Sequence, residues 1–210
     1  MVLSASHDID PTPEIDHLCI SIVQRWEAGE LPHKEALTLL TEKETEMASS
    51  GHLANQARIN HVLGYLQHYR GNIEASIRHY EKAKGLFAAV GNVRRQCIMD
   101  LNTGENYRLK GDFTRARRLY RAAYETAQQL NDVITMSMAV TNEGLALLSM
   151  GQHKTAYRSL EEGLALSHQW QERLDQIPSL RCEIYHAMAL ILLEQGDVAA
   201  AWENAKQTLR

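Results

Sequence analysis

The chain has 210 residues, 44% hydrophobic and 23% charged, which fits one sizeable folded domain or a short repeat array and excludes a disordered chain. Its net charge of −4 gives no general attraction to nucleic acid, and no apolar run approaches the ~20 residues needed to cross a bilayer. Cys19, Cys97 and Cys182 lie far apart with no CxxC pair, which excludes a disulfide framework and, with the polar, acidic start MVLSASHDIDPTPE, points to a reducing cytoplasm.

Residues 1–12 read as a flexible N-terminal segment. From residue 13 onward, Ala, Leu, Glu, Gln, Arg and Lys dominate, and the four prolines (Pro11, Pro13, Pro32, Pro178) stand near expected helix starts. The composition therefore predicts an all-α protein. Two ladders punctuate it. Gly29, Gly71, Gly111, Gly151 and Gly196 are spaced by 42, 40, 40 and 45 residues, and Gly51, Gly91, Asn131 and Gln171 by 40 each time. Glycine and asparagine are the residues that enter the left-handed region cheaply at a helix end. The ladders predict five helix-turn-helix units, over residues 13–51, 52–91, 92–131, 132–171 and 172–210. The 42-residue step carries two extra residues near Pro32 and His33. The 45-residue step carries an extension around QERLDQIP, after which Pro178 starts the next helix.

Within the units, apolar residues follow helical spacing, as in Phe113, Ala116, Tyr120, Ala123 and Ala127. The second and third units share Gly64 with Gly104, Gly71 with Gly111, Tyr80 with Tyr120, and Ala83 with Ala123. Ala116, Ala156 and Ala201 each stand five residues after their glycine, with Ser76 in that place in the second unit. Such residues turn the backbone or set the distance between helices. The others drift because they face water or a partner.

The pattern resembles the tetratricopeptide repeat (TPR). The segment TGENYRLKGDFTRARRLYRAA carries it best, through Gly104, Tyr107, Gly111, Asp112, Phe113, Ala116, Tyr120 and Ala123. The 40-residue period is similar to the TPR variants of kinesin light chain, MalT-type regulators and bacterial peptide-pheromone receptors. The resemblance implies a right-handed superhelix of ten helices whose first (A) helices line a concave groove. It also implies that Asn102 and Asn142, two residues before Gly104 and Gly144, hydrogen-bond the backbone of a bound peptide. At ~8–10 Å between helices and ~3.3–3.6 Å per extended residue, they would reach peptide groups about three residues apart. The alternative is that each merely bonds a neighbouring carbonyl. The same register turns Arg58, His61, Tyr65 and His68 inward, then Leu101, Glu105 and Arg108, then Met138, Thr141, Leu145 and Leu148, then His186, Leu190 and Leu193. The groove is thus expected to be polar and aromatic at one end and apolar at the other.

No catalytic reading competes. His61 and His68 are seven residues apart on one helix, about 10 Å, too far for one metal. There is no HExxH, EF-hand loop, P-loop or nucleophile elbow. Cys97 and Cys182 fit small buried helix positions better than nucleophiles. The expected function is a non-enzymatic, cofactor-free module holding a peptide or helix of a protein partner, without nucleic acid or membrane. A regulatory sensor domain of a larger signalling or transcription-control protein is the alternative. Two further surfaces stand out. Residues 94–121 hold eight basic and three acidic side chains against three basic and ten acidic in residues 1–56. This is either a solvated helix face or a docking surface for an acidic partner or an acidic face of a second copy. The stretch DVAAAWENAKQTLR places Val198, Ala201, Trp202, Ala205 and Leu209 on one face with no successor, to be covered by a further helix of a longer protein or by a second copy, a homodimer through Trp202.

Overall fold

The computed structural model describes residues 9–169 and 178–208. These form ten helices and no strand. The chain divides into two compact units, Met1–Asn106 and Tyr107–Arg210. Helices α1 (Pro13–Glu27), α2 (His33–Ser50), α3 (Leu53–Tyr69) and α4 (Ile73–Ala89) belong to the first, and α5 (Val93–Leu109) runs from it into the second. The second unit continues with α6 (Phe113–Gln129), α7 (Val133–Ser149), α8 (His153–His168), α9 (Pro178–Glu194) and α10 (Val198–Gln207).

The two ladders are the turns. All seven ladder glycines have φ between 71° and 83°. Asn131, at φ 53°, is the one non-glycine in that region among the described residues. It is asparagine because that side chain tolerates the left-handed conformation best after glycine. Gln171 and most of QERLDQIP lie outside the described residues, whereas α9 does open at Pro178. Most of the turns close with the same bond, a backbone N–H reaching the carbonyl five residues back. Asn72 meets Gln67, Asp112 meets Tyr107, Asp132 meets Ala127 and Asp197 meets Leu192, all at 2.9 Å. Where that residue is an aspartate, it also caps the next helix. Asp112, Asp132 and Asp197 accept from the backbone N–H of Arg115, Thr135 and Ala200 at 3.1, 3.3 and 3.0 Å.

The register residues form the core. Ala36, Ala116 and Ala156 are fully buried, Ala201 nearly so, and Tyr80 and Tyr120 are among the most buried aromatics. Ser76 takes the alanine's place without stranding a polar group. Its hydroxyl donates to the Gly64 carbonyl at 2.7 Å and accepts from Asn106 Nδ2 at 2.8 Å. The A-helix glycines allow close approach. A Cβ on Gly64 would sit 2.6 Å from the Tyr80 ring, and one on Gly144 3.1 Å from Leu160. Residues Ile9–Thr12 are tied to the first unit: Asn92 Nδ2 donates to the Ile9 carbonyl and to Asp10, and the Thr12 N–H donates to Asn55. The Cys19 thiol is pushed up to about 11 by burial, as befits a core residue. Cys97 is also buried, while Cys182 is only half-buried and donates from Sγ to the Thr208 carbonyl.

Candidate functional site

In the first unit, α1, α3 and α5 as far as Asn106 bring a polar and aromatic set together. Arg58 Nε lies 2.6 Å from Asp16 Oδ1, and Arg95 approaches the other oxygen of Asp16 at 3.7 Å. His61 Nε2 lies 3.2 Å from Asn102 Nδ2. Burial, helped by the Arg58 and Arg95 cations, pushes His61 down to about 3. The imidazole is therefore neutral at physiological pH and accepts from the Asn102 amide, with its own proton on Nδ1. Tyr65 donates to Glu27 at 2.6 Å, and burial with that carboxylate raises its hydroxyl above the usual range. Trp26 meets both Tyr65 and Tyr69 at ring separations of 6.1 Å, and the two tyrosines stand 4.6 Å apart. His68 continues the set through Asn106 Oδ1 at 2.7 Å. Glu105 is half-buried.

In the second unit, Arg108 reaches Ser149 Oγ at 3.4 Å. Asn142 is half-buried and makes no side-chain hydrogen bond among the described residues. Beside it on α7, Leu145 and Leu148 are half-buried and lean on the core built by Leu147, Leu160 and Ile191. Met138 is half-buried, His186 is exposed, and Leu190 and Leu193 are 42% and 52% exposed. Each unit thus has its own character, polar and aromatic in the first, apolar with one underused carboxamide in the second.

Two expectations are corrected. Leu101 and Thr141 do not face a groove; they are 1% and 0% exposed. They share their register with His61, and the phase lies one step round the helix toward the second helix of the pair. That placement explains why His61 is so heavily desolvated. What the sequence did not reveal is the contribution of α1. Asp16, Trp26 and Glu27 all meet α3, but the two extra residues at Pro32 and His33 shift the first unit out of phase and hide its counterparts.

Among the described residues no group of three His, Cys, Asp or Glu side chains could hold a metal, and no helix is long and apolar enough to cross a membrane.

No protein-family description matches the sequence, and no curated protein is similar to it. Solved structures are similar in fold. BtubC (BKLC) from P. vanneervenii superposes with a TM-score of 0.75 at 18% identity, over 93% of this chain and 78% of that one. The kinesin-light-chain-like, nearly identical TPR-like repeats of a Podosopora anserina protein give 0.66 at 15% identity, over 97% and 95%. The apo form of RapI gives 0.72 at 13% identity, over 93% and 69%. The chain has the TPR-like helical-repeat fold.

Proposed function

We propose that the chain is a non-catalytic interaction module whose A helices hold a peptide segment of a protein partner. The observation that carries this reading is Asn142. A half-buried carboxamide ordinarily finds partners within its own fold, yet this one makes none among the described residues. It is flanked on α7 by Leu145 and Leu148, which offer apolar contact to a partner's side chain. A peptide group supplies the donor and acceptor that a carboxamide lacks there. On the first unit, Asn102 offers its carbonyl oxygen while its amide is held by His61. Tyr65, Glu105 and Arg58 add polar and aromatic side chains on the first unit, and Arg108 adds a cation on the second.

The test is selection of binders from a displayed library of random dodecapeptides, followed by titration of the best binder against Asn102→Ala and Asn142→Ala. Binding should weaken roughly tenfold or more in Asn142→Ala with melting unchanged. Failure to select any binder, or binders indifferent to both substitutions, refutes the proposal.

A further inference from the structure

We propose that α6 carries a second docking site, separate from the A-helix faces, for an acidic peptide segment of a partner protein with one apolar anchor. It is a surface cavity of about 430 Å³ in the second unit, between Phe113 at the start of α6 and Met150 at the end of α7. Its lining includes Arg117, Arg118, Arg121 and Glu125.

The arginines exceed their partners. Arg117, through Nε and Nη2, and Arg121 both close on one oxygen of Glu143, at 3.0–3.1 Å. Arg118 is exposed and makes no ion pair among the described residues. Two of the three guanidiniums thus share one carboxylate, Glu143, Glu125 adds a second acidic group to the lining, and Arg118 is left to recruit a carboxylate from outside.

The repeat register shows that this cluster is a departure. Arg117 stands six residues after its ladder glycine. The same place holds Ile77, Tyr157 and Trp202 in the second, fourth and fifth pairs. An ion cluster replaces an apolar side chain at a helix-helix contact, a change that desolvation makes poor for stability. Ten residues after the glycine, Arg121 stands where Glu81 and Glu161 stand in the neighbouring pairs. The cavity also has an apolar floor. Phe113 is half-buried and Met150 is 40% exposed, a flexible thioether suited to an aromatic or aliphatic anchor. Nucleic acid fits poorly, since Glu125 is part of the lining, Glu143 already pairs with Arg117 and Arg121, and the excess of charge is small. The acidic N-terminal pairs of a second copy also fit poorly, because several of their carboxylates are engaged: Asp16 by Arg58, Glu44 by Lys82, Glu46 by Lys43.

The experiment measures fluorescence anisotropy of a labelled heptapeptide, Glu-Asp-Glu-Phe-Glu-Asp-Glu, and of the same peptide with Ser for Phe. The Phe peptide should bind more tightly, and its binding should weaken as salt rises from about 50 to about 300 mM. Arg118→Glu should weaken it about tenfold and Met150→Ser about fivefold, each with unchanged helical circular dichroism. Asn142→Ala should leave it unchanged, so this site can fail or stand independently of the A-helix reading. No binding by the parent chain, equal binding by Arg118→Glu, or equal binding of both peptides overturns the proposal. So does sedimentation showing that this face is taken by a second copy, with association lost in Arg118→Glu.

Discussion

Gly64 and Gly85 are both helical, and alanine should have opposite effects at the two. A methyl on Gly64 would lie 2.6 Å from Cδ1 and Cε1 of Tyr80 and 3.2 Å from Cγ. These are ring atoms of a side chain only 2% exposed, held between the helices of its pair, so the ring cannot swing into solvent. Overpacking of that kind costs roughly 1–3 kcal/mol, and the near side of the ring puts this site at the upper end. Alanine returns about 0.8–1 kcal/mol of helix propensity. The net expectation for Gly64→Ala is a loss of about 1–2 kcal/mol. Gly85, exposed on α4, has no atom within 4 Å of the same methyl, so Gly85→Ala should stabilise by about 0.5–1 kcal/mol through propensity alone. Urea unfolding followed by circular dichroism measures both. Tyr80→Leu, which imitates Leu160 opposite Gly144, should shrink the Gly64→Ala penalty in a double-mutant cycle. If Gly64→Ala proves neutral or stabilising, or the cycle shows no coupling, the ring contact does not set the distance between α3 and α4.

Ala116→Leu should destabilise by roughly 1–3 kcal/mol, because the site is fully buried; an unchanged melt refutes the register. His61, pushed down to about 3, adds stability that is complete above an unfolded pKa of about 6.5 and is lost as pH falls toward 3, because the unfolded chain takes up the proton first. His33 and His79, also lowered by burial, act in the same direction. His61→Leu, which copies Leu101 in the next pair, should flatten the acid limb of the stability profile, and a slope as steep as the parent's would exclude His61 as its source. Val198 and Trp202 are 65% and 63% exposed on α10. If a second copy covers them, sedimentation should be concentration-dependent and Trp202→Glu should abolish it; a strict monomer, or a dimer that survives the substitution, rules out this contact.

The fold was legible because its signals are backbone demands. A turn that needs positive φ admits glycine and, once, Asn131, and those positions recur at a period that no drift of surface residues can erase. The alanine register was equally readable, including its serine exception, though only the structure shows that Ser76 holds the Gly64 carbonyl. Side-chain phase was less secure. Periodicity placed Leu101 and Thr141 on the inward face, whereas one step of 100° around the helix puts them in the core. The α1 contribution escaped notice because its contacts span about forty residues, as between Asp16 and Arg58 or Glu27 and Tyr65, and local spacing carries no trace of such pairs. The Arg117–Glu143 cluster escaped for the same reason. Eight basic residues could be counted, but not which of them shared a carboxylate.

The junctions between helices close locally. A bond reaching five residues back ends one helix, and at the aspartate turns a side chain reaching three residues ahead begins the next, so neither depends on which helices flank the turn. A whole 40-residue segment can then be gained or lost by recombination at a ladder glycine without remaking the turn. Deleting residues 112–151 would join Gly111 to Gln152 and pair α5 with α8, setting Gly104 where Gly144 now receives Leu160. Lineages of such chains should therefore differ in length by whole segments rather than by scattered insertions. The arginine cluster of α6, found in one segment alone, would be gained or lost as a single cassette.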